Sequence, residues 1–244
     1  TEVAELLASV RAWDRAAGRT VHIPLSELRL TYRDSALKRS LTDPDVGAGR
    51  TWGPTGRWVV LSATFHVRQA SLSAPIAYRQ LAGALDVDMG ARVDAREVRE
   101  AVLALRRSKG MVLDAADHDT WSAGSFFTNP ILTAAEAEAL PEGAPRFPVT
   151  DRTRVVAGLQ DAPVVDGLVK TSAAWLIDHA GFPKGFAAPG AHGRASLSTR
   201  HVLALTNRGG ATAADVVALR DTVIAGVRER FGITLVPEPV AVGW

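Results

Sequence analysis

The chain has 244 residues, enough for one large core or two small ones, and its 47% hydrophobic and 22% charged residues are ordinary for a globular protein. Its net charge is +2, and it has no block of lysine or arginine and no apolar run of membrane-spanning length, so we expect neither a nucleic-acid partner nor membrane insertion. The absence of cysteine excludes disulfides, thiolate metal sites and cysteine nucleophiles, and it favours a reducing, cytoplasmic location.

The first predicted element is a β-hairpin. Apolar residues within 6–13 and 20–23 flank a turn-like segment that contains Gly18. A loop rich in glycine and proline covers 43–56, and the segment after it alternates in a way that predicts a strand with one apolar face. The residues of that face are Val59, Leu61, Ala63, Phe65 and Val67.

Three helices are predicted by their N-terminal capping pairs, in which a polar side chain and a carboxylate three residues later satisfy free backbone amides. The pairs are Asp94 with Glu97, Thr133 with Glu136, and Thr212 with Asp215. Apolar residues then recur at helical spacing and predict the inward faces. These residues are Val98, Ala101, Val102 and Leu105 in the first helix and Val216, Leu219, Val223 and Val227 in the last.

The remaining elements complete a mixed pattern. A further helix is predicted over 171–179, a buried strand over 201–207, and a last strand over 233–242 that is interrupted by Pro237 and Pro239. Residues 146–167 look irregular, and an apolar patch at 155–157 fits no predicted element. Because helices and strands are intermixed rather than strictly alternating, the predicted fold class is α+β.

The segment Gly124-Ser125-Phe126-Phe127-Thr128-Asn129-Pro130 places one hydroxyl between a glycine and two aromatic rings. Such a turn could hold Ser125 as a reactive hydroxyl in an apolar pocket, although a serine in a turn most often bonds only to nearby backbone. The two phenylalanines fit core positions as well as pocket walls. A nucleophilic serine would also need a base, and neither a G-x-S-x-G motif nor an evident histidine partner is present.

Two acidic features also have alternative interpretations. Glu238, between its two prolines, is either solvated at a strand edge or buried beside a cationic partner. The acidic loop 114–119 contains His118 and could suggest a cation site, but it lacks the ligand spacing of a calcium loop. We therefore expect a solvated loop and no metal.

The first long predicted helix has positively charged residues at its C-terminal end. Arg106, Arg107 and Lys109 suit the negative end of the helix dipole, and Lys109 is also placed to meet an anionic ligand near Ser125. The pair Gly209-Gly210 before the last helix fits either a phosphate site or a simple turn, and the lack of a Walker lysine favours the turn.

Four segments, taken in order, resemble the UDP-N-acetylenolpyruvoylglucosamine reductase (UDP-N-acetylmuramate dehydrogenase) family. The resemblance runs along the whole chain, and residues 98–130 are similar to actinobacterial members in particular. The segments are Tyr32-Arg33-Asp34-Ser35 with Lys38, Gly124 to Pro130, Lys170-Thr171-Ser172-Ala173-Ala174-Trp175-Leu176-Ile177-Asp178, and Leu235-Val236-Pro237-Glu238-Pro239.

The resemblance implies an NADPH-driven, FAD-dependent reduction of UDP-N-acetylglucosamine enolpyruvate to UDP-N-acetylmuramate in peptidoglycan synthesis. It implies that Ser125 is the general acid that protonates the carbanion-like carbon, and that Glu238 lies near the substrate carboxylate as a protonated or hydrogen-bonded acid. The substrate-binding residues that it implies are Tyr32, Lys109, Asn129 and Arg106.

The resemblance also divides the chain. Residues 1–110 would belong to the later part of the second FAD-binding subdomain, 111–232 to the substrate-binding domain, and 233–244 to a strand that returns to the flavin site. The family's glycine-rich FAD loop would precede Thr1, so we expect the isolated chain, a monomer, to hold FAD poorly and to turn over little or no substrate. Phe147 stands where relatives often have tyrosine, and residues 152–167 resemble an insertion.

Two other functions stay open from the sequence. The chain could be a non-catalytic module that binds the UDP-sugar or pairs with a separate flavin-binding half. It could also be a serine hydrolase with Ser125 as the nucleophile.

Overall fold

The structure is a computed structural model that describes residues 3–151, 163–190 and 192–243. Helices and strands are intermixed, so the predicted α+β class is confirmed. The apolar patch 155–157 lies outside the described residues. Within the described ranges, no helix has both the length and the apolar character needed to cross a membrane.

The N-terminal region, residues 3–110, begins with a three-stranded sheet in the order β2-β1-β3. The predicted hairpin is confirmed, with β1 and β2 antiparallel and Gly18 in the left-handed conformation at the turn (φ 62°). The elements around this sheet are α1 (Val3–Leu6), β1 (Leu7–Asp14), β2 (Arg19–Pro24), α2 (Leu25–Leu28), α3 (Ala36–Arg39) and β3 (Trp58–Phe65).

Strand β3 forms where the alternation predicts it, but its apolar residues face solvent. Val59, Leu61 and Phe65 are each about half exposed (48, 50 and 49%), and Val67 lies beyond the end of the strand. The strand pairs with β1 along one side only, and the side chains of both its faces are exposed along most of its length. The sequence pattern thus predicted the strand but not its exposure, since no described residues cover its apolar face.

Two helices complete the N-terminal region. In α5 (Ala95–Ser108), the Asp94 side chain accepts hydrogen bonds from the Arg96 and Glu97 amides, as the capping pair predicts. The helix ends at Gly110, whose φ of 69° favours glycine. It packs against α4 (Arg79–Leu85) around a small core.

The C-terminal region, residues 111–243, contains two further sheets, in the orders β4-β9-β8 and β5-β7-β6. A turn of 3₁₀ helix at His118–Thr120 precedes them. The elements are β4 (Ser122–Ser125), β5 (Ile131–Thr133), α6 (Ala134–Glu138), β6 (Phe147–Thr150), β7 (Val164–Lys170), α7 (Ala173–His179), β8 (Ala195–Leu197), β9 (Ala204–Asn207) and α8 (Ala213–Phe231).

Helix α8 forms one side of the main core. Thr212 and Asp215 form the predicted capping box, and Leu219, Val223 and Val227 are fully buried. Gly226 lets the ring of Phe182 approach the helix backbone, because a Cβ at position 226 would lie 2.3 Å from that ring. The helix is therefore held by burial along three turns and by one close ring contact.

The prediction of a last strand over 233–242 is wrong. The segment makes only an isolated bridge, in which Pro237 lies opposite Phe127. The two neighbouring hydrogen bonds run from the Thr128 amide to the Val236 carbonyl (3.0 Å) and from the Glu238 amide to the Phe126 carbonyl (2.8 Å). Pro237 and Pro239 have no amide hydrogen to donate, so pairing cannot continue beyond this short contact.

Candidate functional site

A cavity of about 630 Å³ lies between the N-terminal and C-terminal regions. Four of the six predicted site residues meet there, namely Ser125, Glu238, Lys109 and Arg106. Helices α4 and α5 supply one wall, and β4 with the C-terminal segment supplies the other. The wall residues that the sequence did not single out include Arg33, Tyr78, Gln80 and His201.

Ser125 is the last residue of β4, and it follows Gly124, whose φ is 82°. The next amide, of Phe126, donates to the carbonyl of Leu203, the residue just before β9, at 2.8 Å. This hydrogen bond fixes the end of β4. Phe127 is 2% exposed and belongs to the core, and neither phenylalanine lines this cavity. Within the described residues, the Ser125 hydroxyl has no side-chain partner, histidine included, so it is free to bond to a ligand.

Glu238 reaches the cavity because residues 236–238 lie antiparallel to 126–128. The hydrogen bond between the Glu238 amide and the Phe126 carbonyl places its side chain beside Ser125. The carboxylate forms an ion pair with Arg33, with Nε 3.3 Å from Oε2. Of the two interpretations of the sequence, the structure has the carboxylate beside a cation, although a third of its side chain remains exposed.

The end of α5 supplies cations to the same cavity. Lys109 follows the helix and donates from Nζ to Oε1 of Gln80 at 2.7 Å, and Arg106 lines the wall one turn earlier. Both side chains lie at the negative end of the helix dipole, which suits them. Because the cavity also contains Arg33, its donors favour an anionic ligand.

The other two predicted residues, Tyr32 and Asn129, meet in an adjoining cavity of about 520 Å³. The Asn129 amide donates to the Tyr32 hydroxyl at 3.2 Å, and the Asn129 side-chain oxygen accepts from the Ala173 amide at the start of α7 (3.0 Å). Lys170 Nζ lies 4.8 Å from the centre of the Tyr32 ring, a cation–π distance. Arg33 lines both cavities.

The acidic loop is solvated only in part: Asp114 and His118 are exposed as predicted, but Asp119 is a buried carboxylate. It accepts hydrogen bonds from the Thr199 amide (2.9 Å), the Thr199 hydroxyl and Arg208 (2.8 Å). Burial acts to raise its pKa, but the hydrogen bonds outweigh burial and hold the pKa at about 2. Among the described residues, no three potential metal ligands form a cluster that could hold an ion.

Contacts next to this carboxylate join the two walls of the cavity. Arg200 pairs with Asp117 (2.7 Å) and donates to the Arg107 carbonyl near the end of α5 (3.3 Å). Gly110 packs directly on Asp119, since a Cβ at position 110 would lie 2.9 Å from the Asp119 carbonyl oxygen. These contacts fix the position of Lys109 relative to the turn between β8 and β9.

His201, in that turn, is a cavity residue that the sequence analysis missed. Burial lowers the pKa of its imidazole, and the nearby charges of Lys109 and Lys184 lower it further. No local pattern could have identified it, because its relation to Ser125 arises only when β4 pairs with β9.

The pair Gly209-Gly210 is a turn and not a free phosphate cradle. The Asn207 side chain already accepts hydrogen bonds from the amides of Gly209 (2.9 Å) and Ala211 (3.1 Å). In the described part of the chain we find no other glycine-rich loop that presents free backbone amides at the start of a long helix. The described residues therefore do not by themselves fit the diphosphate of a dinucleotide cofactor.

Comparison with known proteins gives one consistent family. The family model described as UDP-N-acetylenolpyruvoylglucosamine reductase, C-terminal domain, matches residues 115–242. The UDP-N-acetylenolpyruvoylglucosamine reductase of Nocardia farcinica is 52% identical over 242 residues, which cover 99% of this chain and 57% of the relative. That of Saccharopolyspora erythraea is 49% identical over 245 residues, with 99% and 60% covered. The chain thus spans 57–60% of the length of these relatives.

Among solved structures, the crystal structure of UDP-N-acetylenolpyruvylglucosamine reductase from Thermus caldophilus is 18% identical to this chain. The alignment covers 97% of this chain and 53% of that one, with a TM-score of 0.43.

Proposed function

The chain belongs to the UDP-N-acetylenolpyruvoylglucosamine reductase family, as its resemblance predicts, and we propose that its part in such an enzyme is to bind a UDP-sugar enolpyruvate and to protonate it. The activity proposed for the whole enzyme is the reduction of UDP-N-acetylglucosamine enolpyruvate to UDP-N-acetylmuramate. On this proposal, the whole enzyme would be a cytoplasmic oxidoreductase of cell-wall synthesis.

One observation carries this proposal: the hydroxyl of Ser125, which has no side-chain partner among the described residues, shares a cavity with several cations. Arg33, Arg106 and Lys109 supply positive charge for a ligand that carries a diphosphate and a carboxylate. Tyr32 and Asn129 extend the polar surface into the adjoining cavity. A long ligand with these two anionic groups would thus find its charges matched along both cavities, with a proton donor at one end.

Ser125 would deliver the proton to the carbon next to the substrate carboxylate. A hydroxyl is a weak acid, but a carbanion-like carbon is a far stronger base, so the transfer is downhill. The cations around Ser125 would also stabilise the negative charge that gathers on the substrate carboxylate before the transfer. Because the hydroxyl is only partly buried, water can restore its proton afterwards.

The hydride would come from FAD that NADPH has reduced, since flavins supply this chemistry when bound. The described residues present no cradle for the flavin diphosphate, so we assign to them only the binding of substrate and the movement of the proton.

A second candidate follows from the same observation. With cations for a diphosphate but no cradle for a dinucleotide, the chain could be a UDP-sugar-binding module that needs a separate flavin-binding half. Calorimetry of the purified 244-residue chain with UDP-N-acetylglucosamine enolpyruvate, with and without FAD, separates the two. Binding that is independent of FAD supports the module, whereas a yellow protein that oxidises NADPH on addition of the substrate supports a complete reductase.

Matched variants test the proposed roles. We expect Lys109→Gln to weaken binding of the enolpyruvate ligand by about tenfold, because one charge-assisted hydrogen bond is lost. Lys184→Gln, which removes a lysine that does not line the cavity, is the control and should bind normally. If the wild-type chain shows no binding of the UDP-sugar at all, the proposed function is wrong.

A further inference from the structure

We propose that Arg33 is a mobile positioning residue. Its guanidinium pairs with Glu238 in the free protein and moves to pair with an oxyanion of the ligand when the ligand binds. Ligand binding would then release Glu238 from its cation. The inference rests on the proposed function only in placing an anionic ligand in these cavities. The oxyanion is a diphosphate or a carboxylate, and both offer oxygens to a guanidinium in the same way.

The backbone at Arg33 is held in an unusual conformation. Its φ is 56°, in the left-handed region that favours glycine, and this costs energy for an arginine. Two hydrogen bonds between Thr31 and Asp34 close the turn, and Lys38 Nζ donates to the Arg33 carbonyl at 3.2 Å. The turn is therefore fixed by several contacts, and what it presents is the Arg33 side chain.

The side chain lies where the two cavities adjoin. Arg33 lines the cavity that contains Ser125 and Glu238, and it also lines the cavity that contains Tyr32 and Asn129. Its guanidinium carbon is 5.9 Å from the centre of the Tyr32 ring. A small rotation of the side chain is enough to move the charge from one cavity toward the other.

The contact that would be given up is weak. Nε of Arg33 lies 3.3 Å from Oε2 of Glu238, and the side chains of Arg33 and Glu238 are 52% and 33% exposed. Exposed ion pairs of this kind contribute little to stability. A diphosphate or carboxylate could accept two parallel hydrogen bonds from the same guanidinium and would compete well for it.

The two neighbouring lysines are less able to make this exchange, and Arg106, the other arginine of the cavity, donates to the Met111 carbonyl (3.5 Å). Lys109 is bonded to Gln80, and Lys170 lies over the Tyr32 ring. Neither has the planar fork that binds two oxygens at once. Arg33 therefore couples the arrival of an anion to the charge environment of Glu238, the carboxylate beside Ser125.

A double-mutant cycle on the 244-residue chain tests the exchange. The probe is inorganic pyrophosphate, measured by calorimetry at low salt without divalent cations. We expect Arg33→Gln to weaken binding by about tenfold. Glu238→Gln should tighten binding about threefold, because it frees Arg33 in advance. In the Arg33→Gln background, Glu238→Gln should change nothing.

The last result decides between competition and simple repulsion. If Glu238 only repels the anion, its removal will tighten binding equally or more when Arg33 is absent, and the inference is overturned. It is also overturned if the wild-type chain binds no pyrophosphate. A chain that shows the expected cycle with pyrophosphate but does not bind UDP-N-acetylglucosamine enolpyruvate would keep this inference and reject the proposed function.

Two further variants exclude a merely structural effect. Arg29 is also an arginine in the left-handed conformation (φ 46°), but it lines a different cavity, so Arg29→Gln should bind pyrophosphate as the wild type does. Arg33→Lys keeps the charge and loses the fork. We expect Arg33→Lys to bind pyrophosphate more tightly than Arg33→Gln but less tightly than the wild type, with an unchanged melting temperature. In the Arg33→Lys background, Glu238→Gln should tighten binding less than it does in the wild type.

Discussion

The two regions of the molecule bury their apolar residues in very different ways. In the C-terminal region, eighteen buried hydrophobic residues of the described chain form one cluster, and Leu176, Ile177 and Leu219 are among those with no exposure. The N-terminal region has two separate clusters of five and three buried residues. Strand β3 adds apolar residues that remain exposed. One region has a core of its own, whereas the other is held together by small local contacts.

This difference explains why the site lies where it does. Ser125 is part of the well-packed region, and Lys109 and Arg33 come from the less well-packed one. The stable region can hold the proton donor in place, while the binding cations stand on elements that can adjust to a ligand. Polar contacts join the two regions. They include the ion pair between Arg33 and Glu238 and the hydrogen bond from the Arg200 side chain to the Arg107 backbone carbonyl.

The largest expected difference comes from the same substitution made in each region. Leu219→Ala removes a fully buried side chain from the main core and should lower the free energy of unfolding by about 3 to 5 kcal/mol. Leu61→Ala, on the exposed face of β3, should change it by about 0.5 kcal/mol or less. Urea unfolding followed by circular dichroism measures both.

An equal cost for the two leucine variants would contradict the comparison. It would mean that β3 is covered in solution, and the unfolding midpoint of Leu61→Ala would then depend on protein concentration if a second copy supplies the cover.

The buried carboxylate of Asp119, next to the contacts that join the two walls, should give the next largest effect. Asp119→Asn leaves Arg208 without its buried charge partner and should cost about 2 to 4 kcal/mol at neutral pH. Asp221→Asn, in an exposed ion pair with Arg220, is the control and should cost about 0.5 kcal/mol or less.

The effect of Asp119 should also depend on pH in one direction. The pKa of Asp119 is lowered to about 2 in the folded chain, against about 3.9 in an unfolded one. Its contribution is therefore complete above about pH 4 and is lost as the pH falls through 2. The difference in stability between wild type and Asp119→Asn, measured from pH 5 down to pH 2, should shrink over that window. A constant difference would show that folding does not lower the pKa of this carboxylate.

The smallest expected effect belongs to His201. Burial and the nearby lysines lower its pKa in the folded chain, so protonation favours the unfolded state. Stability should be complete above the unfolded pKa of about 6.5 and should decline as the pH falls below it. His201→Gln should remove that decline, and thermal melts between pH 5 and 8 would detect it. A decline that persists in the variant would point to another group.

Local chemistry made four of the eight described α-helices, α5 to α8, predictable from the sequence. The capping residues Asp94, Thr133 and Thr212 each satisfy backbone amides within a few residues, and all three helices begin where predicted. The predicted strand over 233–242 failed because apolar residues favour a strand while Pro237 and Pro239 remove the donors that a ladder needs. Burial was less predictable, since the alternation in β3 is the same whether or not another layer covers it.

The candidate site was predictable only where a motif was local. Ser125 stands in a recognisable segment, and Glu238 is marked by its flanking prolines. The pairing of Glu238 with Arg33 joins positions 205 residues apart in the sequence, so no pattern in the sequence reveals it. The same holds for His201 and Gln80, which reach the cavity only through tertiary packing.

The close contact between Gly226 and Phe182 has a consequence for how this sequence can change over generations. Every missense mutation of a glycine codon introduces a Cβ, and at position 226 that atom would meet the buried ring. The neighbouring Ala225 is exposed on the same helix and has no such restriction. Codon 225 can therefore change by genetic drift. Codon 226 can change only after the residue at position 182 has become smaller, so positions 182 and 226 can diverge only in that order.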